Sequence, residues 1–246
     1  MESKYSIERR ILQGECDRNL RLSIPSAIQL CMDAASAQTE LCDFGIGSLA
    51  RRGRYWVVTK HRFSFPGGAG LMDDVIATTW PEKTGRVRCD RDFRLEHRDG
   101  TPICLGKSEW AVLDKETGRP TPPGEIYPPD MVLTDETNFD TPFARISDDF
   151  EGEPYCSRVV TSVDIDRANH MNNVRYFWML MGTFSCDETE AMDIRELELH
   201  YRSQAREGET IFFQRREGNG ALEIRGYAAD GRTVMLARIV RASDLA

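Results

Sequence analysis

The stretch Ser162-Val163-Asp164-Ile165-Asp166-Arg167-Ala168-Asn169-His170-Met171-Asn172-Asn173-Val174-Arg175-Tyr176 is the densest polar constellation in the chain. It gathers carboxylates, an imidazole and amides where a strand is expected to feed a helix. Such residue types at a helix N-terminus suit the activation of water beside a carbonyl that becomes an oxyanion, because the helix end offers unpaired N–H groups and a positive dipole to the developing charge. A carboxylate such as Asp166 takes the water's proton directly, or through His170, since an imidazole with its unperturbed pKa of about 6.5 holds both proton states near neutrality. The plainer reading is that Asp and Asn before a helix are caps and that the His is a hydrogen-bonded surface group. Residue types and spacing leave both readings open.

The same order of elements occurs twice around this stretch. In the first half, Ser23-Ile24-Pro25-Ser26 reads as a helix start, with Ser23 or Ile24 as cap and Pro25 in the first turn, where a missing N–H costs nothing. Ile28, Cys31, Met32, Ala35 and Thr39 then form one apolar stripe, with Gly45 and Gly47 as the stop. Residues 86 to 96 alternate as a half-buried strand, Val87, Cys89, Arg91, Phe93 and Leu95 facing one way and Arg88, Asp90, Asp92, Arg94 and Glu96 the other. Asp99-Gly100 turns into a return strand near 103 to 113. His61 alternates with Phe63 and Phe65 and is expected to pack. The second half repeats the pattern: a strand near 156 to 164, a helix near 172 to 184 with Val174, Phe177, Trp178 and Met181, then strands near 195 to 203, 210 to 216 and 221 to 228. Asp230-Gly231 turns into the last strand. A long helix wrapped by a curved antiparallel sheet buries both elements, and two such units in one chain are expected to pair their sheet edges. Seven of the eleven prolines (120, 122, 123, 128, 129, 142 and 154) lie in the polar, acidic segment from Pro120 to Pro154, which reads as a connector.

Bulk composition narrows the classes. The 246 residues, 40% hydrophobic and 29% charged, fit a folded globular protein. No apolar run is long enough to span a bilayer and Met1-Glu2-Ser3-Lys4 does not begin a signal peptide, so a cytoplasmic protein without membrane segments is expected. The seven cysteines form no Cys-x-x-Cys pair and do not cluster with the four histidines, so neither a disulfide framework nor a metal site is expected. A net charge of −8 argues against nucleic acid as partner. Arg51, Arg52 and Arg54 make the best local basic candidate. The run Phe65-Pro66-Gly67-Gly68-Ala69-Gly70 lacks the Lys-Ser/Thr of a phosphate loop and reads as a strand connection.

Asp164-Ile165-Asp166 followed by His170-Met171-Asn172-Asn173-Val174-Arg175-Tyr176 closely resembles the acyl-carrier-protein thioesterases of plants and bacteria, whose second half carries Asp-x-Asn-x-His-x-Asn-Asn-x-x-Tyr. Tyr55-Trp56-Val57-Val58, Ala77-Thr78-Thr79-Trp80-Pro81, Arg91-Asp92-Phe93 and Ser108-Glu109-Trp110 resemble that family's first-half landmarks in their usual order. The resemblance implies an α+β tandem (double) hot-dog: residues 1–120 forming a hot-dog that supplies most of the acyl pocket, 121–154 a linker, and 155–246 a catalytic hot-dog. It implies hydrolysis of fatty acyl-[acyl carrier protein] around Asp166 and His170, with Asn169 assisting, Asn172, Asn173 and Gln204 holding substrate or water, no cofactor, and acyl carrier protein as partner. Because that carrier is acidic, the basic residues Arg51, Arg52 and Arg54 are the candidate docking surface, against the plainer reading that basic loop residues are merely solvated. Two departures matter. The family's Asn before the His is Ala168 here, so that Asn169 substitutes through a shifted loop or the amide role is lost. Gln204 replaces a Glu, and Ala205 stands where the family has Cys or Ala, which throws the base role onto Asp166, assisted by His170, and disfavours a Cys-His mechanism. Acyl-CoA hydrolysis and non-catalytic acyl binding are the competing readings, while the oligomeric state, homodimer included, stays open.

Overall fold

The computed structural model describes residues 2–218 and 220–245, which divide into two units, up to Pro142 and from Phe143. In the first unit β1 (Tyr5–Arg10) leads through a 3-10 turn (Gln13–Glu15) to α1 (Ile24–Leu41), α2 (Ile46–Arg51), β2 (Arg54–Ser64), β3 (Asp74–Pro81), β4 (Cys89–His97), β5 (Pro102–Asp114) and the short β6 (Pro120–Thr121). Its strands are antiparallel in the order β1-β3-β4-β5-β2, with β6 on β5. The second unit repeats this: β7 (Cys156–Val159), a 3-10 turn (Ser162–Asp164), α3 (Asn173–Met181), α4 (Cys186–Met192), β8 (Ile194–Tyr201), β9 (Thr210–Gly218), β10 (Ala221–Ala228) and β11 (Thr233–Arg241), in the antiparallel order β7-β9-β10-β11-β8. Each unit is thus one central helix and one short helix with a five-stranded meander whose first strand crosses to the far edge.

The helix α1 forms where the stripe predicts it. Ser23 caps it by accepting the Ser26 N–H, Pro25 sits in its first turn, and Ala27, Ile28, Leu30, Cys31, Ala34 and Ala35 are buried against β1, β3, β4 and β5. The stripe also carries Gln38, which is buried because its Oε1 accepts from the Arg91 guanidinium at 2.6 Å and its Nε2 donates to the Ser3 carbonyl. Gly45 does not end the helical region: it is the N-cap of α2. The expected strand 156 to 164 stops at Val159, since Asp164 accepts the Thr161 N–H and closes a 3-10 turn. Trp178 lies off the buried stripe of α3 and is 38% exposed. The Asp99-Gly100 and Asp230-Gly231 turns form as expected, with Gly100 at φ 84° and Gly231 at φ 83°. His61 is buried beside Phe63 and Trp110, and burial pushes its pKa down to about 3. No helix of the described residues is long and apolar enough to cross a membrane.

The alternation of β4 fails at one position. Asp92, expected on a solvated face, is fully buried because residues 134–139 lie over it. Its Oδ1 accepts the Asn138 N–H at 2.7 Å, while Asn138 Nδ2 donates to the carbonyls of Phe93 and Gly106. Lys107 Nζ reaches Glu82 at 2.5 Å and Thr137 Oγ1 at 3.1 Å. Burial and then the neighbouring Glu82 carboxylate push the Asp92 pKa up to about 9, so it holds a proton. Burial raises Glu82 as well, but its polar neighbours, among them the Lys107 ammonium that donates to it, outweigh this and keep that carboxylate below its usual range. The folded state therefore binds a proton that the unfolded chain releases near pH 4, and the contribution of this group to stability falls between about pH 4 and 9 by at most about 1.4 kcal/mol per pH unit. In Asp92→Asn the same shape is kept without the proton. Urea midpoints from pH 5 to 8 should decline less in the variant than in the unmodified chain; parallel declines would contradict a protonated Asp92.

Candidate active site

The strand-to-helix crossing of the second unit is a closed loop. Ile165 and Met171 pair across it, the Asp166 N–H donates to the His170 carbonyl at 2.9 Å, and the Asn169 N–H donates to the Asp166 carbonyl at 3.0 Å. The chain reverses at Asn169, which takes the left-handed conformation at φ 61°, a region that Asn tolerates better than most side chains. Asp166 Oδ1 accepts the Ala168 N–H at 2.8 Å. Asn172 then caps α3, its Oδ1 accepting the Val174 N–H at 2.9 Å. The capping role of Asn is therefore real for Asn172, and it coexists with the cluster around it.

A second loop is tied to this one. The Met171 N–H donates to the Ala205 carbonyl at 2.9 Å, and the buried Ala205 N–H donates to the Tyr176 hydroxyl at 3.1 Å. Gln204 is thereby fixed next to the chain segment that carries His170. Arg232 completes the clamp, donating to the Gln204 carbonyl at 2.6 Å and to Ser203 Oγ at 2.8 Å while pairing with Glu209 at 2.8 Å. Tyr201 packs edge-on against Tyr176 at 5.1 Å and donates its hydroxyl to the Asn173 carbonyl, which anchors the first turn of α3. Burial raises the Tyr176 pKa to about 12, so it stays a neutral hydroxyl.

The structure thus brings Asp166, Asn169, His170, Asn172 and Asn173 into one loop and sets the Gln204 loop beside it. Asp166, Asn169 and Gln204 are exposed and His170 is half-buried. No acidic side chain stands in the first turn of α3, so the positive end of the helix is not neutralised from within. The Ala168 N–H is the one Asp166 accepts, and Asn169 occupies the left-handed corner. Tyr176, Tyr201 and Arg232 are the residues that sequence reasoning did not single out. Tyr176 stood inside the motif, whereas nothing local marks Arg232. The candidate docking residues lie in the first unit and are all engaged with acidic or carbonyl partners. Arg51 pairs with Asp43 at 3.1 Å, Arg52 donates to the Asp43 carbonyl and to Ser48 Oγ, and Arg54 pairs with Glu125 at 2.7 Å. Among the described residues no group of three or more His, Cys, Asp or Glu is arranged to hold a metal ion.

Fold and site together define a tandem hot-dog with a polar loop at the head of its second helix, and comparison with known proteins gives the family. Residues 2–127 match the acyl-ACP thioesterase N-terminal domain and residues 149–230 match the acyl-ACP thioesterase C-terminal domain. The chain belongs to the acyl-ACP thioesterase family. A chloroplastic acyl-[acyl-carrier-protein] hydrolase, FATB3, of Cuphea viscosissima is 25% identical over 169 residues, covering 64% of this chain and 40% of that protein. A chloroplastic palmitoyl-acyl carrier protein thioesterase of Gossypium hirsutum is 24% identical over 167 residues, covering 63% and 40%. The chain therefore spans well under half the length of these curated relatives. The crystal structure of an acyl-ACP thioesterase from Bacteroides thetaiotaomicron superposes with a TM-score of 0.85 over 97% of both chains at 20% identity, and that of a 12:0-ACP thioesterase from Umbellularia californica with 0.78 over 96% of both at 17%. These likenesses bear out the double hot-dog.

Tyr176→Phe tests the clamp. It leaves the buried Ala205 N–H without an acceptor, which should cost about 1 to 3 kcal/mol of stability in urea unfolding. A loss under about 0.5 kcal/mol, the usual range for a surface change, would mean that the two loops are not held by this bond.

Proposed function

We propose that the chain hydrolyses fatty acyl thioesters carried by acyl carrier protein, releasing a fatty acid and the carrier thiol. The observation that carries this reading is the loop in which His170 stands at the head of α3, its carbonyl bonded to Asp166 and its neighbour Met171 bonded to the Gln204-Ala205 loop. Water attacks the thioester carbonyl carbon, the carbonyl oxygen becomes an oxyanion facing the positive end of α3, and the carbon–sulfur bond then breaks. The proton leaves the water for the Asp166–His170 pair and ends on the departing thiolate. Gln204 holds the water through its amide but does not accept its proton. In this reading Asn172 and Asn173 contact the thioester group. All seven cysteines are unpaired, which supports a reducing compartment such as the cytosol.

Acyl carrier protein is favoured over coenzyme A by the family, and Arg51, Arg52 and Arg54 remain the proposed docking residues despite their local partners. A purified-protein assay on acyl carrier protein thioesters of several chain lengths, run beside the matching CoA thioesters, tests the reading. His170→Ala should lower turnover by about a hundredfold or more. Full activity in that variant would remove the site, and tight binding of the acyl carrier without product would establish an acyl-binding protein that has lost turnover.

A further inference from the structure

Four large apolar side chains stand in solvent on neighbouring loops of the first unit. Leu12, Leu20, Leu71 and Met72 are 36% to 56% exposed. Main-chain bonds hold the loops together: the Leu71 N–H donates to the Leu20 carbonyl at 3.0 Å, the Met72 N–H to the Ile11 carbonyl at 2.9 Å, and the Leu22 N–H to the Ala69 carbonyl at 2.8 Å. Two of the four sit on backbone that disfavours them. Leu20 has φ 59° and Met72 φ 72°, left-handed values that bulky side chains rarely take.

The second unit carries the same backbone with other side chains. The Gly208 N–H donates to the Val160 carbonyl at 2.9 Å as Met72 does to Ile11, and the Glu209 N–H donates to the Arg206 carbonyl at 3.1 Å as Asp73 does to Gly70. The Asn169 N–H donates to the Asp166 carbonyl as Leu20 does to Asp17, and Asp164 accepts the Thr161 N–H as Glu15 accepts that of Leu12. In this register Thr161 stands at the place of Leu12, Asn169 at that of Leu20, Glu207 at that of Leu71 and Gly208 at that of Met72, all four exposed. Asn169 and Gly208 take the positive φ, at 61° and 84°, with side chains suited to it. The fold therefore demands neither the apolar character of the first unit's corner nor its strain. Bulky apolar residues kept in solvent on strained backbone point to a surface that covers them.

Size and charge say which surface. Half-exposed, the four side chains offer on the order of a few hundred Å² of apolar area, short of the roughly 800 Å² per partner of a stable protein interface. The carboxylates of these loops are turned to main-chain donors: Asp17 Oδ1 accepts the N–H groups of Asn19 and Arg21, and Asp73 Oδ2 accepts that of Gly70. Arg10 is paired with Asp74. Arg21, adjacent to Leu20, is exposed and makes no ion pair among the described residues, and Arg18 is exposed on the same loop. A small apolar corner beside an unneutralised guanidinium matches a bilayer interface, where the acyl boundary takes the apolar side chains and anionic headgroups take the charge.

We infer that this corner of the first unit docks on the surface of an anionic lipid bilayer, with Leu12, Leu20, Leu71 and Met72 entering the headgroup boundary and Arg21 pairing with lipid phosphate. The contact is interfacial and no segment spans the membrane. A fatty acid released beside a bilayer would enter it directly, but the docking does not depend on the proposed hydrolysis.

Co-sedimentation of the full chain with vesicles of phosphatidylglycerol and phosphatidylcholine tests this, beside the variant Leu20→Asn/Met72→Gly, which carries the second unit's residues at the two strained positions. The unmodified chain should bind, and more weakly as salt is raised or phosphatidylglycerol withdrawn. The double variant should bind at least tenfold less while melting no lower than the unmodified chain, since Asn and Gly suit the left-handed backbone. Leu71→Glu, at a position of ordinary φ, should lose binding alike and keeps the question open to decision if the double variant folds poorly. Arg21→Gln should weaken binding to the mixed vesicles about fivefold and leave any binding to pure phosphatidylcholine unchanged. No vesicle binding by the unmodified chain, or equal binding by the folded variants, would overturn the inference. So would a dimer of the unmodified chain that the variants turn into monomers, or a loss of acyl carrier protein binding in place of lipid binding, because either assigns the corner to a protein partner.

Discussion

The Met171 N–H to Ala205 carbonyl bond, with the return bond from the Ala205 N–H to Tyr176, is the interaction from which the candidate site is assembled. Without it the His170 loop and the Gln204 loop would be separate surface connections. A buried N–H must be paired, and the pairing here is supplied by a helix side chain that burial keeps neutral. The loop geometry follows: Met171, fixed by the bond, and Asn172, fixed as cap, leave the preceding His170 little choice of place. The Asp166 N–H bond to the His170 carbonyl then sets where the imidazole leaves the chain. Catalytic placement in this reading is a consequence of backbone hydrogen bonding, with side chains acting mainly as staples.

The same economy holds in the connector. Its proline-rich segment has little secondary structure of its own, so its backbone groups need partners from the sheets, and within each unit buried carboxyl groups provide them. Asp92 accepts from Asn138 in the first unit, and Glu198, which also pairs with His200 at 2.6 Å, accepts from Ala144 in the second. Further along, Arg216 donates to the carbonyls of Ser147 and Asp149 and Gln214 to that of Gly152. A segment that composition marks as a flexible spacer is stapled along much of its length.

Those two cases mark what the sequence could disclose. Helix α1 and the turns at Asp99-Gly100 and Asp230-Gly231 were legible because their causes are local: an apolar period, a cap, a residue free to take positive φ. The candidate loop was legible as a concentration of residue types, and Asn172 as a cap. Asp92 was not, because the segment that buries it arrives from more than forty residues away. Helices α2 and α4 were hidden by their shortness, Gly45 serving as a cap where a stop was expected.

A histidine that accepts the proton of the attacking water must change its charge over the pH range in which the rate changes. NMR titration of the His170 ring, set beside the pH dependence of kcat/KM for an acyl carrier protein thioester, puts this to the proof. The ring should titrate at the same pH as the acid limb of the rate, while a ring that keeps one charge state across that limb would show that the proton goes elsewhere.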